Sequence, residues 1–169
     1  MKYYAQITDR VRKMKKQYGT NDPFEIAQRC GIHVLYSDQF NRLKGMYRVI
    51  ARNRFIILNS HNAPQMARIV CAHELGHDQL HRKYAASAPL QEFALYDMSS
   101  AREYEANLFA ADLLLDEAEL CELVKAGYDT VQIAQMLQSD INLVALKLDC
   151  MIRDGYAFRP QIHNTRFLK

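Results

Sequence analysis

The pentad His73-Glu74-Leu75-Gly76-His77 constrains this chain more than any other stretch. Two imidazoles four residues apart share one side of a helix, because four steps of about 100° nearly complete a turn. One metal ion can bridge them only if the segment is helical. The intervening Glu74 then projects from an adjoining face, which is the ligand-plus-base arrangement of zinc hydrolases. The flanking residues favour that helix. Asn62 suits the N-cap, Pro64 is tolerated in the first turn, and Met66, Ile69, Val70, Leu75 and Leu80 keep helical apolar spacing to about residue 81. Gly76 costs about 1 kcal/mol of helix propensity relative to alanine. Close approach of another segment, or of a substrate, would justify it.

A catalytic zinc site usually takes three protein ligands and leaves one position open. His81 lies one more turn along, but its Cα is about 12 Å from that of His73, which defeats a tetrahedral shell shared by all three rings. It reads as a helix-end residue favoured by the dipole, or as a group supporting a ligand. A better third donor lies further on. Ser100 followed by Glu103 is a capping box, so a helix starts there and Glu103 bonds back to its cap. That leaves Glu105, 28 residues after His77, on a face with Leu108, Phe109 and Asp112. A carboxylate entering an apolar face needs a positive partner, and an ion held by the preceding helix would supply one.

The pentad, followed by Glu105-Ala106-Asn107-x-Phe109-Ala110-Ala111, resembles the ImmA/IrrE family of zinc metallopeptidases. The likeness continues upstream in Asp22-Pro23-Phe24-Glu25-Ile26-Ala27, in Gly31-Ile32-x-Val34 and in the segment from Arg54 to Asn59, and spans most of residues 15–115. Where such proteins often have Leu-Leu-Met-Pro, this chain has Leu113-Leu114-Leu115-Asp116, and Asp116 can cap the next helix instead. The resemblance implies a gluzincin-like endopeptidase in which His73, His77 and Glu105 hold one zinc, or another divalent ion. Glu74 would be the general base for attack by metal-activated water. The resemblance further implies a narrow protein substrate, a helix-turn-helix repressor of a mobile genetic element, whose cleavage releases transcription. Tyr84, Tyr96, Tyr104 and His163 are candidate oxyanion donors.

Two other classes fit the pentad less well. A non-catalytic zinc-containing regulator that binds a transcription factor would have no use for Glu74 and would prefer four protein ligands. A deformylase would need an upstream cysteine ligand in a glycine-rich setting, which Cys30 and Cys71 lack.

The expected fold is α+β: a mostly helical zincin-like core over 1–115 with a small antiparallel sheet beside the active helix, and a helical subdomain over 116–169 packed on it. Helices are predicted over about 3–18, 23–30, 117–126, 130–138 and 141–153, besides the two already placed. A strand is predicted near 32–36 and a hairpin over 44–50 and 54–59, with an irregular stretch near 84–98 and another over the last fourteen residues. Arg54–Leu58 is either an exposed edge for an extended substrate or an inner strand. At 169 residues, 49% hydrophobic and 24% charged, the composition is that of a globular protein. No apolar run reaches the roughly 18 residues of a membrane helix, and the amino terminus lacks a signal-peptide core. Cys30, Cys71, Cys121 and Cys150 have no paired spacing, which suggests reduced thiols in the cytoplasm, Cys71 being the one placed for redox or metal effects. A net charge of +3 is too small to imply nucleic acid. Arg10, Arg12, Lys13, Lys15 and Lys16 read as a solvated helix face, and Lys147 and Arg153 are too few for DNA recognition by the last helices.

Overall fold

The computed structural model describes residues 2–85, 90–92 and 100–158. Tyr96, His163, most of the expected irregular stretch and the end of the chain lie outside them. The chain divides into two compact units, Met1–Leu114 and Leu115–Lys169. Among the described residues there are seven helices and one four-stranded sheet, an α+β fold as the sequence predicts.

In the first unit, α1 (Lys2–Tyr18) stops at Gly19, whose φ of +66° lets its N–H close on the Lys15 carbonyl at 2.9 Å. Asp22 caps α2 (Pro23–Arg29) by accepting from Phe24 N at 2.9 Å. Then come β1 (Ile32–Ser37), β2 (Gly45–Ile50), β3 (Asn53–Asn59), α3 (Pro64–Ala85), the short β4 (Leu90–Glu92) and α4 (Ala101–Leu114). Asn62 does not cap α3. Its side-chain amide donates to the Lys44 carbonyl at 2.8 Å, and the Ala63 carbonyl takes the first helical bond.

The strands lie in the order β1-β3-β2-β4. The expected hairpin joins β2 to β3 through Ala51 and Arg52, at φ +47° and +70°. Positive φ at both positions gives a two-residue turn the twist its strands need, here without glycine. The sheet is mixed rather than antiparallel, which corrects the sequence expectation. β1 runs parallel to β3, with Ile32 opposite Arg54, because residues 38–44 carry the chain past the position that β3 later fills. β3 is therefore an inner strand, and Arg54–Leu58 offers no open edge.

The central helix is α3. Every residue from Ile69 to Asp78 is buried, with α4, β2, β3 and α2 packed around it. Asp78 ties several of these elements together. The buried Tyr47 donates its hydroxyl to Asp78 Oδ1 at 2.7 Å, Arg54 Nη1 reaches both carboxylate oxygens at 3.1 Å, and Arg82 Nη2 adds a contact at 2.9 Å. Arg54 also donates to the Cys30 carbonyl at the end of α2. Burial, reinforced by the Asp78 bond, pushes the Tyr47 hydroxyl well above its usual range.

In the second unit, Asp116 caps α5 (Glu117–Lys125) as expected, Asp129 and Gln132 form a complete capping box on α6 (Thr130–Met136), and Asp140 caps α7 (Ile141–Arg153). Lys147 is buried, its Nζ 2.6 Å from Glu117 Oε1, so α7 does not present it to a ligand. No helix among the described residues is long and apolar enough to cross a membrane.

Asp78→Ala should strand the Arg54 guanidinium, only 21% exposed, and cost about 3 kcal/mol, the low end for a broken buried pair. The urea midpoint of the purified variant measures that loss.

Candidate metal centre

The site is built where α3 and α4 cross, and Gly76 sets their separation. A Cβ on Gly76 would lie 3.1 Å from Phe109 Cβ and 3.2 Å from both Cα and O of Ala106. The missing side chain admits another segment, one of its two expected reasons. The crossing brings Asn107, also buried, to His73, with Oδ1 2.9 Å from Nδ1. The other nitrogen of that ring, Nε2, faces Glu103 Oε2 at 3.2 Å. His77 Nε2 approaches the same oxygen at 3.4 Å. The two rings stand edge-on, centroids 4.7 Å apart. One ligand atom from each of His73, His77 and Glu103 falls within 4.8 Å of the others.

Glu105 is placed differently. Its Oε2 lies 2.8 Å from His81 Nε2, and His81 Nδ1 lies 3.0 Å from His77 Nδ1. The acid expected to complete the metal shell thus stands one imidazole away from the pair, and the acid assigned to the helix cap stands beside it. Ser100 does cap α4, its Oγ accepting from Glu103 N at 3.2 Å. That bond uses the backbone of Glu103 and leaves its carboxylate to seek the best partner, here two imidazoles across the helix interface. His81 thus bridges Glu105 and His77.

Glu74 is fully buried on α3, beside the start of β2. A Cβ on Gly45 would sit 3.1 Å from Glu74 Oε1 and 2.4 Å from Val70 Cγ1, so only glycine lets the strand come this close. The sequence carried that signal, since a lone glycine opening a strand pattern marks a close backbone approach. Of the candidate oxyanion donors, Tyr84 is exposed with Arg102 over its ring at 4.9 Å, and Tyr104 is half-buried on α4. Cys71 is fully buried, and burial pushes its thiol up, so it is a core residue rather than a reactive one.

Burial pushes His77 down to about 4, against the opposing pull of Glu103. Burial by itself would raise Glu103, but the imidazoles of His73 and His77 beside it prevail and hold the carboxyl well below its usual range. A neutral His77 beside an ionised Glu103, with His73 completing the set, is a donor group that fits a divalent cation.

The family model of the IrrE N-terminal-like domain matches residues 27–149. The chain is 32% identical over 145 residues to uncharacterized immunity region protein 2 of Bacillus phage phi105, covering 85% of this chain and 90% of that protein. It is also 32% identical over 136 residues to metallopeptidase ImmA of Bacillus subtilis (strain 168), covering 76% of this chain and 75% of that one. The class is thus metallopeptidase-type, and such a family implies a bound metal ion. Within that class, the chain belongs to the IrrE N-terminal-like, or ImmA/IrrE, family, as its motifs suggested.

Two outcomes follow from the packing and the charges. Gly76→Ala should cost about 1–2 kcal/mol through overpacking against the Ala106 backbone, despite alanine's better helix propensity; denaturation with chelator present measures it. In metal-free protein, unfolded His77 gains a proton as pH falls through its ordinary 6.5, while the buried ring resists protonation down to about 4. The unfolded state binds more protons in that window, so stability should fall as pH drops from 6.5 to 4. Urea midpoints across that range should show the fall, and His77→Asn should flatten it.

Proposed function

We propose that this protein is a zinc-dependent endopeptidase that cleaves a helix-turn-helix repressor of a mobile genetic element in the cytoplasm. The observation that carries the reading is the convergence of His73, His77 and Glu103, with Glu74 buried on the helix that carries the two imidazoles. His73, His77 and Glu103 are the residues that would hold the ion. When bound, the ion supplies Lewis acidity, which activates water near neutral pH and polarises the scissile carbonyl. The Glu74 carboxylate takes the proton of the attacking water and returns it to the leaving amine. A site serving only structure would have no use for that base and would favour a fourth protein ligand.

The names of the relatives, one a metallopeptidase and one an immunity-region protein, support a regulatory protease. None of the four cysteines forms a disulfide, which is consistent with a reducing compartment.

Metal analysis and a cleavage assay on purified repressors test the assignment together. Glu103→Ala should lose zinc, Glu105→Ala should keep it with weaker binding, and Glu74→Gln should keep full stoichiometry while losing cleavage by at least about 100-fold. Zinc lost from Glu105→Ala but kept by Glu103→Ala would reverse the roles of the two acids. Cleavage undiminished in Glu74→Gln would remove the general base. Tight repressor binding with no new fragments by mass would point to a regulator that does not cut.

A further inference from the structure

We infer that His81 and Glu105 form a positioning pair that fixes the ring orientation and tautomer of His77, so that its Nε2 is the atom offered to the metal. The inference rests on the assignment of His77 as a ligand and names two residues that act through it.

A carboxylate only accepts hydrogen bonds. Glu105 Oε2, 2.8 Å from His81 Nε2, therefore requires the proton on that nitrogen. In a neutral ring the other nitrogen, Nδ1, is then an acceptor. It lies 3.0 Å from His77 Nδ1, which must donate. With its proton on Nδ1, the lone pair of His77 stands on Nε2, the nitrogen 3.4 Å from Glu103 Oε2. The direction of each bond is set by the one before it, beginning at Glu105.

The packing suits such a chain. His81 is 4% exposed and the Glu105 side chain 15% exposed, so water competes little for either bond. The two rings are tilted at 55° with centroids 5.2 Å apart, and one helical turn separates them along α3. A shift of His77 about χ2 would break the contact with His81. His73 is oriented by different means, its Nδ1 lying 2.9 Å from the Asn107 amide oxygen. The two imidazoles thus receive the same instruction from unlike partners, both contributed or anchored by α4. Groups that orient metal-ligating histidines typically change metal affinity by roughly 10–100-fold when removed.

Zinc affinity by chelator competition tests this on the full chain, with the visible spectrum of the cobalt-loaded protein and the imidazole NMR signals of the zinc-loaded one. His81→Phe should weaken zinc binding roughly 10–100-fold, shift the cobalt bands and abolish the downfield Nδ1 proton of His77. His81→Gln can accept from His77 and donate to Glu105, so it should restore most of the affinity and the downfield proton. Glu105→Gln keeps an acceptor and should fall between wild type and His81→Phe, which keeps the test decisive if the phenylalanine variant fails to fold. Wild-type affinity and spectra in His81→Phe would overturn the proposal. Equal losses in the phenylalanine and glutamine variants would also overturn it, by showing that the ring serves packing alone. Failure of the underlying ligand assignment looks different: wild-type protein would bind no zinc, or His77→Ala would bind it undiminished.

Discussion

Burial of ionisable groups along α3 is the constraint on which the rest of the first unit depends. From Ile69 to Asp78 the helix has no exposed residue, yet that span holds His73, Glu74, His77 and Asp78. An isolated charge in such a position costs several kcal/mol. Neighbouring elements answer most of this burden with polar partners. Tyr47 of β2 and Arg54 of β3 meet Asp78, while Asn107 and Glu103 of α4 meet the imidazoles. The surroundings of the helix are thus chosen by its charges as much as by its apolar residues.

Two glycines set how closely those neighbours come. Gly76 admits α4 on one side, where a methyl group would be crowded, and Gly45 admits β2 on the other, where one would collide with Val70 Cγ1. At Gly76 the opposing atoms include the Ala106 backbone, which cannot rotate away as a flexible side chain can. Glu103 and Glu74 are carried by elements whose spacing has little room to drift.

Much of this was legible in the residues. The pentad demanded a helix and the helix is there; the caps at Asp22, Ser100 and Asp116 were readable from their spacing, as was the β2–β3 hairpin. The parallel pairing of β1 was not, because a short link between strands does not say whether a later strand will insert between them. The choice between Glu103 and Glu105 was hidden for a related reason. At about 100° per residue, the two acids flank Ala106 at roughly 60° on one side and 100° on the other. Both can reach α3, and only the crossing point decides which imidazole each one meets. Glu105 is turned inward as its spacing suggested, its side chain only 15% exposed, and the group it meets is His81. Asn107 carried no signal of its own, since a buried amide looks the same in a string of letters as an exposed one.

The crossing at Gly76 also bears on how such proteins are recognised. Short patterns with two histidines and a glutamate turn up by accident in many unrelated chains, where nothing presses on the fourth letter. Here that letter is crowded by the backbone of Ala106, three positions after Glu103. A search that required the glycine and the later Glu-x-x-Ala-Asn together would be sampling a steric fit between two helices rather than a word, and should discard most accidental matches.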